Sequence, residues 1–308
     1  MKKIITFLLL LTTFSCFASQ KLTVLLDWFP NPNHAPLYVA QQQGFFTQHG
    51  LEVKLIGPAD PTDPPKLVAA GKAEIAVSYE PQFMQQVDRD LPLIRIGTLI
   101  NKPLNCLVTL KSSHIDTLAG LKNKKIGTST GDVASEMLDT MLEKQGLTSK
   151  DVEVINVRYN LSQALLSGKV DAVTGMMRNF EVPQIEMTGH AVQAFYPEDS
   201  GIPNYDELIF VTRLDHQHDP RIKAFLAALQ EGVAYLKQHP QTTWTAFAKQ
   251  FPENNNALNQ QAWMNTLPYF AQNPAQANIQ EWLKFANFMQ AHGLIRKVQP
   301  IQRYVAYN

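Results

Sequence analysis

From Asp27 to Tyr38 the chain reads Asp-Trp-Phe-Pro-Asn-Pro-Asn-His-Ala-Pro-Leu-Tyr, a dense mixture of flat, hydrogen-bonding and stiffening residues. Pro30, Pro32 and Pro36 restrict the backbone. Trp28 and Tyr38 offer flat apolar surfaces, while Asn33 and His34 offer donors and acceptors. Such a set suits a small, planar, heteroaromatic ligand, which needs stacking area and a few placed polar groups. The same residues also fit a plainer role, with Trp28 in a core and His34 satisfied at a helix start. Residue types alone leave both open.

Five further segments place polar groups beyond an apolar run. Val77-Ser78-Tyr79-Glu80-Pro81-Gln82 and Arg178-Asn179-Phe180-Glu181-Val182-Pro183 each pass from strand-like to helix-like sequence. Gly127-Thr128-Ser129-Thr130-Gly131-Asp132 enters a helix and could hold an anion. Simple N-capping by Thr130 or Asp132 explains it without a ligand. Arg158-Tyr159-Asn160 and Gly201-Ile202-Pro203-Asn204-Tyr205-Asp206-Glu207 complete the set. No phosphate loop, GxGxxG turn, HExxH pair or GxSxG elbow occurs, and the histidines are scattered. Nothing here is specific enough to argue catalysis.

The elements that must position these segments alternate. Strands are expected at 21–26, 52–56, 75–77, 93–96, 104–110, 125–127, 152–156, 170–174, 191–195 and 207–212, separated by helices at 36–49, 81–88, 134–145 and 162–167. Alternation of this kind predicts βαβ units and mainly parallel sheets. Beyond Asp219 the periodicity is helical, at 220–238, 241–250, 257–270 and 279–292, with Asp219-Pro220 as an N-cap and first-turn proline. Ala70-Gly71-Lys72-Ala73-Glu74-Ile75-Ala76-Val77 is echoed by Ser167-Gly168-Lys169-Val170-Asp171-Ala172-Val173. Each reads as a helix stop, a Gly-Lys turn and an apolar strand carrying one acid. The echo suggests two similarly built α/β lobes, or the chance recurrence of a common turn.

Composition bounds the partners. In 308 residues, 27 basic side chains balance 27 acidic ones, which argues against a polyanion such as nucleic acid and against a polybasic membrane surface. Two cysteines rule out a disulfide scaffold. Met1-Lys2-Lys3, the apolar run Ile4 to Leu11 and Ala18-Ser19 form a signal-peptide pattern, with cleavage expected after Ala18 and residues 1–18 removed. Cys16 is an alternative lipidation point, although Thr13 stands where a lipobox prefers leucine. Cys106, in an apolar run, is expected to pack as a small hydrophobe.

At these residues the chain resembles the periplasmic solute-binding proteins for thiamine pyrimidine precursors, relatives of the eukaryotic hydroxymethylpyrimidine phosphate synthase. The resemblance rests on Leu26-Asp27-Trp28-x-Pro30-Asn31-x-x-His34, Gly44-Phe45-Phe46, Gly50-Leu51-Glu52-Val53, both Gly-Lys turns, Leu121 to Gly127, and Gly201-Ile202-Pro203-x-Tyr205-x-Glu207-Leu208. It covers most of residues 21–212, and its opening motif is the most specific part. It implies a group II binding protein with two α/β lobes, each a mainly parallel sheet flanked by helices, and a helical C-terminal segment. Lobe one would be 21–108 with 210–308, and lobe two 109–209, with hinge crossings near 106–110 and 207–212. It also implies a monomer in the periplasm that hands its ligand to the permease of an ABC transporter, with no resident cofactor or metal.

In that frame Trp28 and one of Tyr38, Tyr79, Tyr159 or Tyr205 would sandwich an aminopyrimidine. Glu181 would accept from its exocyclic amine, or, if protonated, donate to a ring nitrogen. Asn33, His34, Ser78, Glu80 and Asn160 are further polar candidates. The synthase branch uses a lysine and a histidine just after the first Gly-Lys strand; here those places fall at Ser78 and Gln82, so that activity is not expected. Riboflavin or a sulfonate remain alternative ligands, an exported enzyme acting on a small heterocycle is a second class, and a lipid-anchored module without a small ligand is a third.

Overall fold

The computed structural model describes residues 19–129, 132–158 and 160–306, the side chains of 132–136 excepted. The expected leader, Cys16 and Tyr159 lie outside these residues. Among the described residues ten strands form in the order the apolar runs suggest: β1 (Gln20–Leu25), β2 (Leu51–Ile56), β3 (Ile75–Ser78), β4 (Leu93–Ile100), β5 (Asn105–Leu110), β6 (Lys125–Thr128), β7 (Glu153–Asn156), β8 (Ala172–Met177), β9 (Val192–Phe195) and β10 (Leu208–Arg213). They build two five-stranded sheets, ordered β2-β1-β3-β10-β4 and β7-β6-β8-β5-β9.

The two sheets repeat one plan. In the first, β1 pairs in parallel with β2 and β3, while β10 is antiparallel to both β3 and β4. In the second, β6 pairs in parallel with β7 and β8, and β5 is antiparallel to β8 and β9. Each sheet is therefore mixed, and its single reversed strand is the one that has just arrived from the other lobe. The Gly-Lys echo falls at matching places, ahead of β3 and β8. Gly71 and Gly168 sit at φ 71° and 70°, the left-handed conformation that ends a helix without a Cβ clash.

The chain crosses between sheets at 101–104 and returns at 196–207. Residues 106–110 and 207–212, expected at the hinge, lie almost wholly inside β5 and β10. Residues 105–108, expected in lobe one, pair with the second sheet. Apolar sequence marks a strand whichever sheet it joins, so a crossing is not visible in the pattern. Glu207 accepts from the backbone N–H groups of Leu104 (2.6 Å) and Asn105 (2.9 Å), tying the two crossings together. Arg178 adds to this, with both terminal nitrogens on Glu198 and further contacts to the Leu104 and Asn105 carbonyls.

The C-terminal helices complete the first lobe. Helix Pro220–Gln238 lies against helix Ala35–Gln42 so closely that a Cβ on Gly232 would stand 2.7 Å from the Pro36 carbonyl oxygen. Helices Pro240–Gln250 and Ala257–Thr266 bring Phe247, Phe251 and Trp263 into one aromatic cluster with Tyr38. At the far end, Ala306 donates to Arg95 and Val305 bridges to it, covering the edge of β4.

Candidate functional site

A cavity of about 250 Å³ opens between the lobes, beyond the carboxyl ends of β1 and β3 on one side and of β6 and β8 on the other. Ligands of open α/β sheets sit at this position, because loops leaving the strand ends converge there. Trp28, Phe29, Pro30 and Asn33 line it from the first lobe with Asp27, Tyr79 and Gln82. Met177, Phe180 and Glu181 line it from the second, Tyr205 and Glu207 from the return crossing, and Asn254 and Asn259 from the C-terminal region.

The first-lobe loop is held rigidly. Asn31 caps its short helical turn by accepting from the Asn33 N–H and donates to the Phe29 carbonyl, both at 2.8 Å. Asn254 reaches the Pro30 carbonyl at 2.9 Å. Trp28 and Phe29 meet edge to face, ring centres 6.3 Å apart. Asp27 is buried, yet both its oxygens are used: the His34 Nε2 lies 2.8 Å from Oδ1 and the Tyr79 hydroxyl donates to Oδ2 at 2.6 Å. Burial alone would raise this carboxyl. The His34 ring and the Tyr79 hydroxyl outweigh that and hold it below the ordinary aspartate value.

The second lobe behaves differently. Glu181 begins helix Glu181–Glu186, and its Oε2 accepts from the Met177 N–H at 2.8 Å. Burial pushes it up to about 7, with that N–H only partly opposing the rise. Glu207 is pushed up to about 6 by burial, moderated by the N–H groups of Asn105 and Leu104. The cavity thus combines aromatic walls with one firmly ionised carboxylate and two that titrate near neutrality. Among the described residues, no lysine or arginine lines it.

Of the residues singled out from sequence, Trp28, Asn33, Tyr79, Glu181 and Tyr205 line this cavity. His34 does not; it is wholly buried behind Asp27 and acts on the cavity through it. Tyr38 points into the aromatic cluster with Phe247 and Phe251, since it lies on the core face of its helix. Ser78 is buried at the end of a strand covered on both faces. Glu80 turns away: its Oε2 accepts from the Asp206 N–H at 2.6 Å, and burial with the neighbouring Asp206 charge pushes it well above the usual carboxylate range. Asn160 is exposed at a helix start, outside the cavity lining. Tyr159 lies outside the described residues.

Sequence reading missed Asp27, Phe29, Gln82, Phe180, Glu207, Asn254 and Asn259 as cavity residues. Both acids lie in the motifs that carry the resemblance, Asp27 directly before Trp28 and Glu207 two residues after Tyr205, and that placement is the available signal. Asn254 and Asn259 come from a helical region where no pattern pointed toward a cleft.

Comparison with known proteins agrees with this architecture. An alkanesulfonate-binding protein from Xanthomonas axonopodis pv. citri superposes with a TM-score of 0.69 over 93% of this chain and 96% of its own, at 15% identity. A thiamine biosynthesis protein of Haemophilus influenzae is 48% identical, covering 96% of this chain and 94% of its own length. The formylaminopyrimidine-binding protein of Halalkalibacterium halodurans is 29% identical over 94% and 90% of the two chains. A 4-amino-5-hydroxymethyl-2-methylpyrimidine phosphate synthase of Uromyces fabae is 27% identical over 90% and 84%. With residues 31–243 matching the model described as NMT1/THI5 like, the chain belongs to that family.

Proposed function

We propose that the protein is the solute-binding component of an ABC importer and captures an aminopyrimidine precursor of thiamine, hydroxymethylpyrimidine or formylaminopyrimidine, by closing its lobes around it. The carrying observation is that aromatic and acidic side chains from both lobes meet in one cavity. Trp28, Phe29, Tyr79, Phe180 and Tyr205 supply stacking area, worth about 0.5–1.5 kcal/mol per aromatic pair beyond burial. Asp27 and Glu181 supply acceptors suited to an exocyclic amine. A ligand that touches both lobes favours the closed state by its differential affinity. In this reading 1–18 is a cleaved leader, the protein works as a periplasmic monomer, and lipidation at Cys16 is the alternative anchor.

The cavity's character speaks against the other readings. A sulfonate calls for cationic contacts, and the two nearby arginines do not supply them: Arg178 is committed to Glu198, and Arg158 is exposed and outside the cavity lining. About 250 Å³ suits one substituted six-membered ring better than a three-ring flavin. The imine chemistry of the synthase branch needs a lysine amine, and none lines the cavity among the described residues. Calorimetry with both pyrimidines should show saturable one-to-one binding, and Trp28→Ala should weaken it by about 10–100-fold. No heat with either compound, or an unchanged Kd in the variant, would sink the reading.

A further inference from the structure

Asn33 lines the cavity from the first lobe, and its Oδ1 accepts from Asn179 Nδ2 at 2.7 Å. The same Nδ2 donates to the Thr266 hydroxyl at 2.6 Å, and Thr266 in turn donates to the Ala262 carbonyl at 2.6 Å. All three side chains are buried, at 9%, 3% and 0% exposure. Asn33 follows β1 and Thr266 ends helix Ala257–Thr266, both on the first-lobe side, whereas Asn179 follows β8 in the second lobe. The contact therefore exists only while the lobes are together.

We infer that Asn179, braced by Thr266, is a positioning residue that latches the closed lobes and fixes Asn33 as a hydrogen-bond donor toward the ligand. A primary amide has one carbonyl acceptor and one NH₂ donor. The bond from Asn179 to Oδ1 orients the Asn33 amide and leaves Nδ2 as its unengaged group. The first-lobe wall then presents a donor at Asn33 in a cavity whose Asp27 and Glu181 carboxyls can accept. An aminopyrimidine carries the matching pattern, a ring-nitrogen acceptor beside an amine donor. This pattern rests on the aminopyrimidine reading above; the latch does not. Asn179 Oδ1 is itself buried without a hydrogen-bond partner, so desolvation opposes the two bonds its Nδ2 makes. Such a latch is too weak to close the lobes outright and biases closure in company with a ligand.

The test pairs Asn179→Leu with Thr266→Val and Thr266→Ser, folding being checked by circular dichroism. Calorimetry and stopped-flow would use hydroxymethylpyrimidine and the two aminopyridines in which one ring nitrogen is C–H. Wild type should lose about 10-fold or more with one aminopyridine. Asn179→Leu should bind the parent about 5–20-fold more weakly, chiefly through faster dissociation, and lose most of that discrimination. Thr266→Val should shift the same way and Thr266→Ser should restore wild-type behaviour. If Asn179→Leu does not fold, the Thr266 pair carries the comparison. Retained affinity and discrimination in the folded variants would overturn the inference.

A ligand-independent arm separates the two claims. With dyes on cysteines at exposed Lys72 and Lys169, and Cys106 buried, single-molecule energy transfer in the ligand-free protein should show a more open distribution for Asn179→Leu. Identical distributions would overturn the latch. If wild type binds none of the pyrimidines, the function proposed above falls and this arm alone decides the latch.

Discussion

Asp27, buried, and Glu181, half-buried, face one cavity from opposite lobes, and their affinities for a proton move in opposite directions. Both lose water, which raises a carboxyl. Asp27 recovers more than it loses, through the His34 ring and the Tyr79 hydroxyl. Glu181 recovers only part, from a backbone N–H, and reaches about 7. Burial sets the size of the penalty, and the partners set its outcome. The first lobe therefore offers an acceptor that is ionised at neutral pH, and the second a group that accepts above neutrality and donates below it.

The comparison breaks most severely at Asp27. Asp27→Asn removes the charge that the His34 and Tyr79 contacts are built around, and should cost about 3 kcal/mol at pH 7. Because the folded carboxyl sits below its ordinary 3.8, its stabilisation is fully present above that value and is lost as pH falls through the lower folded one. Urea unfolding of variant and wild type should differ most at pH 7 and converge in strong acid. A gap independent of pH would mean that packing, not charge, holds this corner together.

At Glu181 the sign reverses. A carboxyl raised from 4.5 to about 7 binds its proton more tightly folded than unfolded, so stability falls as pH rises between those values. Glu181→Gln should leave stability unchanged at pH 4.5 and add about 1–3 kcal/mol at pH 8 in the ligand-free protein. Glu207, raised to about 6, keeps a smaller slope of its own below that pH. Thermal unfolding across pH 4.5–8 reads both, and parallel curves for variant and wild type would remove Glu181 from the account.

The two carboxyls were not equally legible from sequence. Glu181 lies in the segment past the second Gly-Lys strand, and the resemblance gives it a role. Asp27 lies inside the most specific motif, but there the residue types point to His34, the residue that braces it. Strand positions read well because ten apolar runs each had only one period to satisfy. Side-chain direction read poorly where that period was uninformative. Ser78 ends β3, whose residues are all buried, so alternation could not say which face met the cavity. Tyr38 and Glu80 lie in the first turns of helices whose core-facing sides depend on distant partners, Phe247 and Phe251 for one and the Asp206 backbone for the other. Those partners lie more than a hundred residues away, beyond any local pattern.

Tyr79→Phe gives the smallest and most discriminating change. It deletes only the 2.6 Å bond to Asp27 Oδ2 and keeps the ring that lines the cavity. The net loss should be about 1.5 kcal/mol, typical of a single hydrogen bond to a charged group. Without that donor, burial acts on Asp27 against His34 and a backbone N–H, and the carboxyl should titrate higher, toward but short of Glu181. Carboxyl carbon chemical shifts in labelled protein follow both groups through one titration. An unmoved Asp27 would assign its ionisation to His34 and the backbone N–H, without the hydroxyl. A rise all the way to Glu181 would show that the hydroxyl separates the two lobes' carboxyls, because the ring, the burial and His34 are all retained.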